Sequence, residues 1–417
     1  MNVLYLTQVF EVGADPGSER HFYFCRYLAR RGHQATAITS NVDYKKACVR
    51  ISGSNGTVTR KIDGVEIHYV YSYPNFRGSF FRRFIYFITY FFSTLIESFK
   101  IEKPDVIYAV STPLTVGLLG FILSRLRRVP FVFEVTDVWP DAAIACGVIR
   151  NHALIRVAKW LELLCYRKSS HIVALTQGIR NNIVDKGISA DKVTVITNGV
   201  DFSLFCEGAA LNTGSESYQE YESKPFIAMY MGAHGTYNSL DTIIDAAIFL
   251  KDDARFLFIL VGDGDAKASL QERVNLLGLK NVQFMDSVPR IDSPAVLATA
   301  DVFLLPNRKG EFFTGNLPNK LFDFLASARP IIVAGRGETG AVVVSAGCGL
   351  VVDAEDGRAM AQAIRQLAEQ PIEARCSMGE AGKNFVKEHY DRERLSLIFL
   401  SILNQVTGHE ASTGPGE

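Results

Sequence analysis

The chain has 417 residues, 48% of them hydrophobic and 21% charged. That length predicts two or three domains, and the composition excludes wholesale disorder, collagen and coiled coil. Lys+Arg 44 balance Asp+Glu 44, so nothing global demands nucleic acid, yet the balance is uneven: residues 1–205 hold 25 basic and 16 acidic side chains, net +9, and the remainder 19 and 28, net −9. A basic half favours anionic partners, phosphates or an anionic membrane.

Val3–Thr7 is a continuous apolar run, the pattern of a buried parallel strand, with no basic segment before it; it reads as a first strand rather than a signal peptide. A Gly/Pro loop at 12–18 leads into a helix over His21–Arg31, and Gln34–Ser40 is a second strand. This βαβ unit implies a parallel sheet. Val65–Tyr71, Val106–Val110, Phe131–Val135, Ile172–Leu175 and Val193–Thr197 continue the strands. Residues 206–224 are polar and Gly/Ser-bearing, an interdomain linker. The alternation then restarts, with strands at Phe226–Met231, Phe256–Val261, Val282–Met285, Val302–Leu305, Ile331–Ala334 and Gly349–Val352. Helices are predicted over Asp241–Leu250, Ala266–Leu276, Lys320–Ser327 and Arg358–Ala368. The domains expected are 1–205 and 225–387, with a polar tail at 408–417. Seven scattered cysteines without C-x-x-C spacing read as reduced thiols of a cytosolic protein, with no metal site.

Residues 77–96 are crowded with aromatics behind Arg77, Arg82 and Arg83. The uncharged run Phe84–Ile96 has 13 residues, against about 20 for a spanning helix. Two readings stand: a helix in a membrane interface, with Phe80 and Phe81 inserted and the arginines at phosphates, or a helix buried against the sheet.

Open parallel sheets bind ligands beyond the carboxyl ends of their strands, so the loops there hold the candidate residues. Gly13 and Gly17 let backbone N–H groups approach an anion at a helix N-terminus. Asp137, after the strand ending at Val135, either binds sugar hydroxyls or accepts a proton, or else shapes a turn. Gly232 and Gly235 flank His234, a candidate phosphate donor. Gly262 and Gly264 repeat the design. The stretch 306–330 carries Arg308, Lys309, Glu311, Asn316, Lys320 and Asp323 around a helix N-terminus suited to a diphosphate, with Asp323 placed for ribose hydroxyls or as an ordinary first-turn acid. Neither the dinucleotide nor the Walker glycine motif occurs.

Taken together, VTVITNGVDFSLF at 193–205, FLFILVGDGDAKASLQERVNLLGLKNVQFMDSVPR at 256–290 and LPNKLFDFLASARPIIVAG at 317–335 resemble the family-4 retaining glycosyltransferases of the GT-B fold. DVWPDAAIACGVI at 137–149 is similar to members that build bacterial surface polysaccharides. The resemblance implies two Rossmann-like α/β domains with parallel sheets facing across a cleft, and a last helix, about 388–407, returning to the first domain. It implies a nucleotide-diphosphate sugar as substrate, most simply a UDP-sugar, held by Gly262, Gly264, Lys320 and Asp323. The acceptor implied is a lipid-linked glycan on polyprenyl diphosphate. No cofactor, metal or nucleic acid is implied, and the place of work is the inner face of the cytoplasmic membrane, with the protein peripheral. His234 and Asp137 are the catalytic candidates.

The sequence departs from the family pattern in four places, the first being that His234 and Thr236 stand where the family often has Arg and Lys after the second domain's first strand. Gly315 stands where a first glutamate is usual, Asp323 is a shortened second acid, and Thr136 occupies the usual histidine position. A nucleotide-sugar epimerase or a non-catalytic scaffold of the same fold are the alternatives.

Overall fold

A computed structural model describes the chain except residues 13–19, 45–46, 52–55, 77, 112, 146–148, 206–223, 236–237, 311–314 and 410–417 and the side chains of Phe80 and Ala145. The expected sites at Gly13, Gly17, Arg77 and Glu311, the linker and most of the tail therefore lie outside the described residues. The described chain divides into two units. One holds the residues up to Thr197 and from Leu395 on; the other is Asn198–Arg394.

The first unit contains β1 Asn2–Leu6, α1 Arg20–Arg30, β2 Gln34–Ser40, the short pair β3 Val42–Asp43 and β4 Cys48–Val49, β5 Val58–Ile62, β6 Val65–Val70, α2 Phe80–Ser98, β7 Val106–Val110 and α3 Leu114–Arg127. It continues with β8 Phe131–Val135, α4 Asp141–Ala145, α5 His152–Lys168, β9 His171–Ala174, α6 Gln177–Asp185 and β10 Val193–Val195. Its sheet runs β10-β9-β8-β7-β1-β2-β6-β5. All neighbours are parallel except the edge strand β5, which pairs antiparallel with β6. The interior strands are buried on both faces, which is why they read as unbroken apolar runs. Gly117 and Gly120 bring α3 onto β8: a Cβ at either would stand 2.6 Å from the ring of Phe133 or Phe131.

The second unit contains β11 Phe226–Met231, α7 Asp241–Phe249, β12 Phe256–Val261, α8 Lys267–Leu276, β13 Val282–Met285, α9 Ser293–Leu297, β14 Val302–Pro306 and α10 Asn319–Ala326. Then come β15 Ile331–Ala334, α11 Glu338–Ser345, β16 Gly349–Val352, α12 Gly357–Ala368 and α13 Ile372–Tyr390; α14 Arg392–Thr407 leaves the unit. The all-parallel sheet runs β13-β12-β11-β14-β15-β16, the doubly wound order of dinucleotide-binding folds.

The chain crosses between units at 197/198 and 394/395, not at 205 and 387. Val200 and Phe205 pack into a core of the second unit, and α13 continues through 387 to Tyr390. Leu395, Phe399, Ile402 and Leu403 of α14 complete a core of the first unit, where Phe399 stacks on Phe24.

One network of buried polar groups in the first unit centres on Glu134. Glu134 on β8 receives Arg20 Nε at 2.8 Å and the Tyr108 hydroxyl at 2.7 Å. Arg20 also donates to the carbonyls of Ile196 and Thr197, tying the start of α1 to the chain after β10. The Tyr5 hydroxyl lies 2.6 Å from His21 Nδ1. Burial opposes the Glu134 charge, but Arg20, His21 and the Tyr108 hydrogen bond outweigh it and hold the carboxyl below its usual range. Removing one partner of such a buried pair costs about 3–5 kcal/mol, because the other charge is left uncompensated.

Burial lowers the His21 imidazole from 6.5 to about 4, against the pull of Glu134. Between those values the unfolded chain binds a proton that the folded chain refuses. This contribution to stability is complete above pH 6.5 and is lost as pH falls towards 4, with a limiting slope of about 1.4 kcal/mol per pH unit. Denaturant unfolding followed from pH 7 to pH 4 should show this loss in the native chain and a shallower dependence in His21→Gln. Equal slopes would show that His21 is not held neutral.

Candidate functional site

In a doubly wound sheet the ligand crevice opens where the strand order reverses, which in the second unit lies between β11 and β14. The loops after β11 and β12 interlock there through their backbones. Gly232 N–H donates to the Val261 carbonyl at 2.9 Å, His234 N–H to Asp263 at 2.8 Å, and Ala266 N–H to the His234 carbonyl at 2.8 Å. Three glycines make this approach possible. A Cβ on Gly262 would stand 2.0 Å from the Gly232 carbonyl oxygen, one on Gly264 2.6 Å from the His234 carbonyl oxygen, and one on Gly232 2.9 Å from Lys320 Cε.

Lys320 occupies the space that Gly232 leaves open. It sits in the first turn of α10, whose N-cap, Pro318, provides no side-chain cap. Its ammonium lies 4.3 Å from the centroid of the Tyr230 ring, donates to the Tyr230 hydroxyl, and reaches Asn238 Oδ1 at 3.3 Å. Tyr230 and Asn238 each donate in turn to the Ala233 carbonyl at 2.8 Å, so both holders of Lys320 are fixed to the β11 loop. Lys320 forms no ion pair with any described carboxylate. Burial lowers its ammonium from 10.5 to about 7. A cation of this kind, beside a helix N-terminus and glycine loops, has the chemistry to hold an anion.

The other candidates divide sharply. His234 is fully buried, its ring centroid 6.0 Å from that of Tyr230 and 6.1 Å from that of Phe284, and neither ring nitrogen has a hydrogen-bond partner among the described residues. Burial, aided by Lys267, keeps the imidazole below its ordinary pKa, so it is a neutral group under the loop rather than a cation on its surface. Asp323 does not present a free carboxylate: both oxygens accept from the Arg290 guanidinium. The ribose reading of Asp323 is corrected to that extent, since only its remaining lone pairs are available. Arg308 is exposed and leans 4.0 Å from Glu355, and Lys309 is exposed. Asn316 has an exposed side chain, while its carbonyl accepts from Thr339 at 2.6 Å. Gly235 has only Asn238 Nδ2, at 3.5 Å, near a built Cβ.

In the first unit, Asp137 follows β8 and is exposed, its carbonyl accepting from Trp139 N–H at 2.9 Å. Thr136 N–H donates to Ser111 Oγ at 3.1 Å. These residues stand at the carboxyl end of β8, the end where the topology places ligands.

Sequence reasoning missed Tyr230, Asn238 and Arg290 at the second unit's site. Tyr230 reads as one more apolar strand residue, and the separations from Lys320 (90 residues for Tyr230, 82 for Asn238) carry no local signal.

Two doubly wound sheets in one chain define the GT-B class of fold. The fold is shared with HepE from Anabaena, solved in complex with UDP, at TM-score 0.69 and 16% identity over 97% of this chain and 100% of that one. It is shared likewise with a sucrose-phosphate synthase from Thermosynechococcus elongatus, at TM-score 0.74 and 14% identity over 98% of this chain and 100% of that one. The chain belongs to the glycosyltransferases: residues 17–204 match Glycosyltransferase Family 4 and residues 225–370 match Glycosyl transferases group 1. Among curated relatives, a putative colanic acid biosynthesis glycosyl transferase of Escherichia coli K12, WcaI, is 23% identical over 89% of this chain and 93% of its own length. An Escherichia coli UDP-Gal:alpha-D-GlcNAc-diphosphoundecaprenol alpha-1,3-galactosyltransferase is 24% identical over 63% of this chain and 66% of its own.

The interlock of the two loops makes its glycines unequal. Gly262→Ala, with φ +142° and a carbonyl oxygen 2.0 Å from the new methyl, should destabilise the second unit by at least about 2 kcal/mol. Gly235→Ala should stay within about 0.5 kcal/mol of the native chain. Denaturant unfolding of the two variants side by side checks this, and equal stability would show that the loops can separate at little cost.

Proposed function

We propose that the protein is a retaining, metal-independent glycosyltransferase of bacterial surface polysaccharide assembly. In this reading it moves a sugar from a nucleotide diphosphate, a UDP-sugar, to a glycan carried on polyprenyl diphosphate, at the inner face of the cytoplasmic membrane. The observation that carries the reading is the Lys320 ammonium, enclosed against the glycine loops of the second unit with no carboxylate partner among the described residues. A donor diphosphate supplies the missing counter-charge. The relatives named for UDP-galactose transfer to a diphosphoundecaprenol acceptor and for colanic acid biosynthesis support the substrate classes.

The chemistry follows from the charge that develops. When the bond from the sugar to the diphosphate breaks, negative charge grows on the leaving oxygen. A cation and N–H groups already fixed at that place stabilise it without reorganising. Lys320 supplies the charge that a divalent cation supplies in other phosphate sites. The acceptor hydroxyl adds to the anomeric carbon on the face from which the diphosphate departs, and its proton passes to the departing phosphate oxygen. Configuration at that carbon is therefore retained. His234, neutral, supports the loop and has one N–H to give. Asp137 orients sugar or acceptor hydroxyls.

Calorimetry with UDP, GDP, ADP and CDP, without metal, tests the donor site. Selective binding of UDP is expected, weakened at least ~30-fold in Lys320→Met, the equivalent of about 2 kcal/mol for hydrogen bonds to a charged group. Because an anion raises the Lys320 pKa from about 7, binding at pH 7 should take up a fraction of a proton, and affinity should fall as pH rises above 7. Binding heats in buffers of different ionisation enthalpy measure that uptake. Undiminished UDP binding by Lys320→Met would remove the assignment. Binding of none of the four nucleotides would favour a scaffold, and sugar interconversion without an acceptor would favour an epimerase.

A further inference from the structure

The helix α2 is built inside out for a soluble protein. Its inward side carries Tyr86, Tyr90 and Thr94, all buried, with Glu97 buried at its end. Its outward side is apolar. Phe81, Phe84, Ile88, Phe92, Ile96 and Phe99, just past the helix end, follow one another at spacings of three and four, which puts them in a single stripe. Ile88 is half-buried; Phe81 is 68% exposed, Phe84 50%, Phe92 55%, Ile96 63% and Phe99 54%. Over the helix's 19 residues the stripe is about 28 Å long, and a contiguous exposed apolar patch of this kind marks an interaction site.

Charge brackets the stripe. Arg82 and Arg83 are exposed at its start and form no ion pair with described residues. At its far end the C-terminus of α3 comes alongside. The Arg127 guanidinium lies 5.0 Å from the centroid of the Phe99 ring and donates to the Ile101 carbonyl at 3.2 Å, while Arg125, Leu126 and Arg128 are exposed beside it. No acid precedes Glu97 in the helix, and Glu97 is paired with Lys100 at 2.7 Å and His68 at 3.1 Å. Beyond it the exposed Glu102 is offset by its neighbour Lys103. The helix lacks the length of apolar residues to cross a bilayer.

We propose that this face of the first unit docks onto an anionic lipid bilayer, with α2 lying in the plane of the interface. The aromatic rings enter the boundary between headgroups and acyl chains, and the arginines at both ends meet lipid phosphates. A protein partner would match the apolar stripe but would leave both arginine clusters to be neutralised separately. A sheet of lipid phosphates meets them together. The inference deepens the membrane part of the proposed function by naming the surface and the lipid charge. Its test involves no sugar transfer, so it stands or falls apart from the donor site.

The full-length protein, without substrate, would be floated with vesicles of phosphatidylcholine alone and of phosphatidylcholine mixed with phosphatidylglycerol. Binding to the anionic vesicles should be at least about ten-fold tighter. The double variant Phe92→Asp/Ile96→Asp should lose it, and Arg82→Glu/Arg83→Glu should lose the preference for anionic lipid. All four positions are exposed, so both variants should keep the native circular dichroism and thermal midpoint. No vesicle binding by the native chain, equal binding to neutral and anionic vesicles, or native-like binding by the aspartate variant would overturn the proposal. So would sedimentation, in the absence of lipid, of a dimer that the aspartate substitutions dissociate, since the stripe would then belong to a second copy of the chain.

Discussion

The Lys320 ammonium rests where one side chain is missing. Gly232 must lack a Cβ for Lys320 to lie against the end of β11, and Gly262 must lack one for the β12 loop to close on Gly232. Both contacts are at the carboxyl ends of parallel strands, so they depend on the doubly wound order that brings β11 and β14 side by side. Tyr230 completes the arrangement. Its strand fixes the ring under the ammonium, and its hydroxyl is held by the Ala233 carbonyl. Lysine loses much side-chain freedom when it is fixed. Here that entropy is lost on folding, before any anion arrives.

The first unit shows the opposite use of buried charge. Glu134 and Arg20 are mutually satisfied, and their remaining hydrogen bonds go to Tyr108 and to the carbonyls after β10. A closed network of this kind fixes which segments meet. It brings the start of α1, the end of β8 and the chain near Thr197 to one place, at the strand ends where Asp137 also stands. A complete ion pair holds that geometry in the first unit, whereas in the second Lys320 has no carboxylate partner among the described residues.

Much of the fold was legible because parallel interior strands are buried on both faces and announce themselves as apolar runs. Every interior strand of both sheets was read to within a residue or two. The edge strand β5 was not, because Thr59, Arg60 and Lys61 face solvent and resemble a loop. The unit boundary was misplaced by eight residues for a related reason: Val200 and Phe205 are apolar whichever core receives them. At the site, the glycine loops were legible because they directly follow strands, and Lys320 because it opens a helix. The Arg290–Asp323 pair was not, since Arg290 lies 33 residues before the acid it neutralises. His234 was read as a donor to a phosphate because a residue between glycines suggests an open turn. Its ring instead fills the space beneath the interlocked loops.

Net charge also says little about where a single cation is enclosed. The second half of the chain is the acidic one, at −9, yet it holds the enclosed cation. Many of its acids are exposed or already paired: Asp241 and Asp245 with Arg273, Asp286 with Lys267, Asp353 with Arg336. Exposed charges are screened within about 8–10 Å in ordinary salt. An enclosed ammonium is screened far less, so its local field outweighs the distant sum. Asp323 is the acid on the same helix as Lys320, and Arg290 cancels it.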